Sequence, residues 1–98
     1  MVGPEGNGEA VRKQELADRC ELLAKRFGLT SRETEVLILL AQRKTVGMIE
    51  RELYIANGTA KAHVRHVYQK FDIHSREELF DLLGVDGLQE NVEAKNAG

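Results

Sequence analysis

The sequence predicts an all-α fold. Three observations carry that expectation. Apolar residues recur at helical spacing in five successive segments. No stretch alternates with the period of two that a half-buried strand requires. The single proline is Pro4, so nothing from residue 5 onward forbids a helix. At 98 residues the chain makes one small domain, and an apolar share of 42% is enough for a modest core.

The first eight residues hold three glycines and the proline and read as a flexible lead or linker. A first helix is expected over residues 9–28. Its stripe is Leu16, Cys20, Leu23 and Phe27, and Gly28 supplies a left-handed stop. The second segment spans about 31–42. Thr30 and Glu33 stand at capping-box spacing, and Leu29 precedes the cap as a hydrophobic staple. Its stripe is Val36, Leu37, Leu40 and Ala41.

The third segment, about 46–54, opens after Thr45 and carries Val46, Ile49 and Leu53 at i, i+3, i+7. Gly47 weakens it, so packing must hold it. The fourth runs over about 58–71 with Ala60, Val64, Val67 and Phe71 at i, i+4, i+7, i+11. Asn57 is its expected cap, with Ala56 or Gly58 as boundary alternatives. The fifth covers about 76–83. Ser75 and Glu78 repeat the capping-box spacing, and Leu79, Leu82 and Leu83 form the apolar face. Residues 85–98 read as an acidic flexible tail. The short link between segments three and four is that of a helix-turn-helix.

Several function classes fall away. The longest apolar run, Val36 to Ala41, is far too short to span a bilayer. The lone Cys20 rules out an internal disulfide or a cysteine-based zinc cluster, which fits a cytoplasmic setting. Its place on an apolar stripe reads as core filler rather than a reactive thiol. His63 and His66 are three apart on one helix, but no third ligand has diagnostic spacing, so no metal is expected. No phosphate-binding glycine loop, nucleophile elbow or isolated carboxylate pair points to an enzyme, and no cofactor is expected.

The fourth segment carries the chemistry. Lys61, Arg65 and Lys70 stand between residues 57 and 71 with no acid before Asp72, in a chain of net charge −2. Lys61 and Arg65 share a face that Ala62 and Gln69 flank. On charge alone, an ordinary solvated helix face accounts for the pattern. DNA recognition accounts for it too. Arg and Lys reach guanine O6 and N7, Gln reaches adenine, and an Ala methyl tolerates close approach to thymine. The amides at Gly58 and Thr59 suit a phosphate.

A set of motifs weighs between the two readings. Leu29-Thr30-Ser31-Arg32-Glu33, Val36-Leu37, Ile49 and Leu53, Gly58 through Val64, Tyr68 through Phe71 and Ser75 through Leu79 occur in that order. Together they resemble the LuxR-type (GerE/NarL-like) helix-turn-helix domain over about residues 29–84. The resemblance implies a four-helix DNA-binding domain, here with an extra N-terminal helix. It belongs to bacterial transcription regulators, which bind double-stranded DNA as homodimers on two-fold sites, contact RNA polymerase and carry a sensor upstream. It implies that Lys61, Ala62 and Arg65 face bases. Gly58, Thr59, His63, His66, Gln69 and Lys70 fall to the phosphate backbone, and Leu79, Leu82 and Leu83 to a dimer interface.

Four positions depart from the family pattern. Arg43 stands where glycine is usual, so that bend must accept a Cβ. Glu50 stands where a small alanine is usual and must reach outward or pair, with Lys61 as one candidate. Ala56 replaces a common serine, and Ala60 a common valine. Two other readings remain open at this point: a protein-interaction module built on the last helix and the tail, and a promoter-binding domain resembling region four of sigma factors.

Overall fold

A computed structural model describes the backbone of residues 4–84 and side chains from Val11 onward. Five helices follow in order: α1 (Pro4–Phe27), α2 (Ser31–Ala41), α3 (Val46–Leu53), α4 (Asn57–Phe71) and α5 (Arg76–Leu83). No strand occurs among the described residues. The all-α architecture expected from periodicity is therefore the one observed.

Boundaries follow the local chemistry. At α2 the capping box is complete. Glu33 N donates to Thr30 Oγ1 at 3.1 Å, and Thr30 N donates to Glu33 Oε1 at 3.0 Å. Thr45 caps α3, accepting from Met48 N at 3.2 Å. Ser75 Oγ caps α5, but Glu78 reaches back to His74 N rather than to the cap residue itself. Gly28 (φ 74°) ends α1 in the left-handed region, as expected of a residue without a Cβ.

Two expectations need correction. The lead expected over residues 1–8 is helical from Pro4 onward: proline is tolerated in a first turn, where its missing N–H has no intrahelical role. Met1–Gly3 and the acidic tail, 85–98, lie outside the described residues. At α4 the cap is Ala56, not Asn57, which is the first helical residue. Ala56 makes no side-chain cap bond.

The helices close around one core. α2 is central, with α1, α4 and α5 against it, while α3 packs on α4. Val36, Leu37 and Leu40 of α2 meet Ile49 of α3, Val67 of α4 and Leu79 of α5, all fully buried. Phe27 and Phe71 meet edge to face at 4.8 Å between centroids, joining the end of α1 to the end of α4. Cys20 is fully buried, and burial first, then the charge of Glu21, pushes its thiol up to about 12. It is an unreactive filler.

Helix ends are tied together by arginines. Arg76 of α5 donates to Lys44 O at 2.9 Å, satisfying a carbonyl just past α2. Arg19 of α1 donates to Leu83 O at 3.0 Å, doing the same at the end of α5. These bonds use carbonyls that a helix end would otherwise leave to water.

Arg43 takes the bend after α2 with φ 69°, so the Cβ expected there is accommodated. Its guanidinium lies over the Phe80 ring, 4.3 Å from the centroid. A left-handed non-glycine residue costs about 1 kcal/mol, and an exposed cation–π contact returns about 0.5–1 kcal/mol. The two nearly cancel. Arg43→Ala keeps the strain and loses the contact, so urea melts should show it less stable by about 1 kcal/mol. Arg43→Gly loses both and should stay near the parent; equal losses in the two variants would refute this balance.

Candidate nucleic-acid interface

Which faces of α4 are covered decides what it can offer. Ala60 and Val67 are fully buried and Phe71 nearly so, with Val64 partly covered. These residues hold α4 to α2 and α3. Gly58, Thr59, Lys61, Arg65 and Gln69 are exposed on other faces, and Ala62 is half-buried beside them. Lys61 and Arg65 pair with no carboxylate among the described residues. The predicted base-facing set is thus brought together on one uncovered side.

The predicted phosphate set divides. Lys70 is not a free cation. Its Nζ donates to Glu33 Oε1 at 2.8 Å and to Gly28 O at 3.1 Å. His66 Nδ1 stands 3.7 Å from Glu33 Oε2, though the ring is half exposed. Lys70 is thus engaged within the free domain, and His66 lies at the seam between α4 and α2. The reason is angular: both lie to one side of the outward face, over the start of α2. His63 is half-buried, and its Nδ1 has no hydrogen-bond partner among the described residues. Gly58, Thr59 and Gln69 stay open to solvent.

The three leucines expected at a dimer face divide as well. Leu79 is fully buried and Leu83 is 3% exposed, both in this domain's own core. Both are spent on packing within the domain. Leu82, 38% exposed, is the leucine of that set turned outward.

The structure adds neighbours that periodicity did not reveal. A groove of about 370 Å³ flanks the basic side of α4. Val46 from the start of α3 and Ile73 and His74 from the α4–α5 link join Lys61, Arg65 and Tyr68 in lining it. Those residues converge only when α3 and the link fold back beside α4, so no local spacing marks them. Glu50 does not pair with Lys61. Its carboxylate accepts from the Nδ2 amide of Asn57.

Comparison with known proteins fixes the family. Residues 28–83 match the family described as bacterial regulatory proteins, luxR family. The chain belongs to that family. The luxR-family domain is 40% identical over 62 residues to the spore germination protein GerE of Bacillus subtilis, covering 62% of this chain and 84% of GerE. It is 44% identical over 50 residues to the nitrate/nitrite response regulator NarL of Escherichia coli, covering 51% of this chain and 23% of NarL. It is 40% identical over 50 residues to the transcriptional regulatory protein LiaR of Bacillus subtilis, covering 51% of this chain and 24% of LiaR. The chain thus spans about a quarter of the length of several relatives it matches. No solved structure matches it. Among the described residues no helix is long and apolar enough to cross a membrane, and no group of three His, Cys, Asp or Glu could hold a metal ion.

The Glu33–Lys70 pair makes a pH prediction about the luxR-family domain. Burial works against ionising Glu33, but the Lys70 and Thr30 hydrogen bonds and the charges of Lys70 and His66 outweigh it. They hold its carboxyl below the ordinary value of 4.5. A lowered folded value stabilises above 4.5, and that contribution is lost as pH falls through the folded value. Lys70→Met should cost about 2 kcal/mol at neutral pH, less than for a fully buried pair because Lys70 is partly solvated. In urea melts the gap from the parent should close as the pH is lowered into that acid range. A gap independent of pH would assign the loss to packing instead.

Proposed function

We propose that this domain binds double-stranded DNA as the output unit of a bacterial transcription regulator, with α4 in the major groove. The observation that carries the reading is the pair of exposed cations, Lys61 and Arg65, with no carboxylate partner among the described residues and turned away from the apolar stripe that fixes α4. Family membership and relatives named as transcriptional or response regulators support it. In this reading the domain is a binding unit and not an enzyme, and it works in the cytoplasm.

The geometry suits a groove. An α-helix with side chains is roughly 10–12 Å across, close to the width of the B-form major groove, about 12 Å. Lys61 and Arg65 would reach base edges, Ala62 would allow close approach, and Gln69 stands further along the exposed side. At the near end, Ala56 leaves the first amides of α4 without a side-chain acceptor, and Gly58 and Thr59 are exposed beside them. A DNA phosphate is the anion that these amides would take, with the helix dipole in support. Two copies on a two-fold site would meet along α5 at Leu82.

A salt titration tests the assignment. Duplex affinity should fall linearly on a log–log plot, with a slope of about −0.9 for each phosphate neutralised. Arg65→Ala should lose roughly 1–3 kcal/mol on its preferred site and relax preference at one base position. Unchanged preference would remove Arg65 from base reading, and no duplex binding at low salt would remove the function.

The paired arrangement has its own check. Leu82→Asp should abolish cooperative binding to a duplex bearing two half-sites while half-site affinity is retained. Equal cooperativity in that variant would place the contact elsewhere.

A further inference from the structure

Glu50 lies on α3, half-buried, with its carboxylate on the side-chain amide of Asn57, the first residue of α4. It has no ion-pair partner among the described residues. Glu52, on the same helix, differs: Lys44 neutralises it at 2.5 Å. Glu50 therefore sets an uncompensated negative charge beside the end of α4 that holds exposed Gly58 and Thr59 and an alanine cap with no side-chain acceptor.

We propose that Glu50 limits the affinity of this domain for DNA, acting as a built-in anion beside the phosphate-docking end of α4. The inference rests on the nucleic-acid reading above. Two effects act in one direction. In the free domain the carboxylate is stabilised by the Asn57 amide and by the positive end of the α4 dipole. In the complex a backbone phosphate brings a second negative charge to the same end, where the two repel. The bond to Glu50 also engages an Asn57 N–H that would otherwise be available to the phosphate. Both effects weaken the sequence-independent part of binding and leave the base-facing cations, Lys61 and Arg65, untouched.

The test needs no known operator, because phosphate contact is independent of sequence. Fluorescence anisotropy with a labelled mixed-sequence duplex is measured across a salt series. The proteins are the full chain, Glu50→Gln, Glu50→Ala and, as a control for net charge, Glu77→Gln on α5. Gln keeps the acceptor for Asn57 and the side-chain shape while removing the charge, so folding is preserved; far-ultraviolet circular dichroism verifies this for all four. Glu50→Gln should bind about fivefold tighter at low salt, with the gain shrinking as salt screens the repulsion. Glu50→Ala should bind at least as tightly as the parent, and Glu77→Gln should change affinity less than about twofold. An unchanged or weaker Glu50→Gln overturns the proposal alone, as does an equal gain in Glu77→Gln. Absence of duplex binding by all four folded proteins overturns the nucleic-acid reading and the proposal with it.

Discussion

The seam between α2 and α4 is the constraint on which the structure rests. A helix of 15 residues is marginal in water without tertiary contacts. α4 gains its persistence by burying Ala60, Val67 and Phe71 against its neighbours. A fully buried Val or Phe is worth about 1.5–3 kcal/mol relative to exposure, so these few residues dominate. Because they fall on one side, fixing the helix also fixes the direction in which Lys61 and Arg65 project. Stability and presentation of the basic face are one event.

Charge reinforces that seam at one end. Glu33 serves two structural roles through one carboxylate. It completes the cap of α2 and receives Lys70 from the last turn of α4. Lys70 also donates to Gly28 O, so the end of α1, the start of α2 and the end of α4 meet at one ammonium. At 6% exposure, Glu33 is the one buried charge among the described residues, and its hydrogen bonds offset what burial costs it. The two helix-capping arginines do related work elsewhere. Together these bonds position short helices that could not fix their own ends.

The sequence made some of this legible and not the rest, for identifiable reasons. Five helices could be read because each stripe repeats at the period of a helix face, as in Leu16, Cys20, Leu23 and Phe27. Thr30–Glu33 could be read because a capping box is local. Residues at the flanks of a helix escape this reading. Lys70 and His66 look like members of one basic stretch, and only the placement of α2 turns them toward Glu33. Leu79, Leu82 and Leu83 look like one apolar face. An eight-residue helix with three sides against or away from α2 keeps two of them inside and one out. The groove at Tyr68 and His74 exists only through nonlocal folding.

The two ends of α4 show what this arrangement does to the field that DNA would meet. At the C-terminal end, a carboxylate is buried, hydrogen-bonded and matched by Lys70, so that cation adds little outward attraction. At the N-terminal end, a second carboxylate is partly open and, among the described residues, matched only by an amide. Between them stand Lys61 and Arg65, with no carboxylate partner among the described residues. The exposed cations without a carboxylate partner among the described residues thus stand in the middle turns of the helix, the part that would enter a groove in the proposed reading. A domain of net charge −2 can attract an anion in this way because the attraction is local. Salt screens the more distant charges over roughly 8–10 Å. In the proposed reading, recognition would depend on two side chains held by a packed helix, not on the charge of the whole molecule.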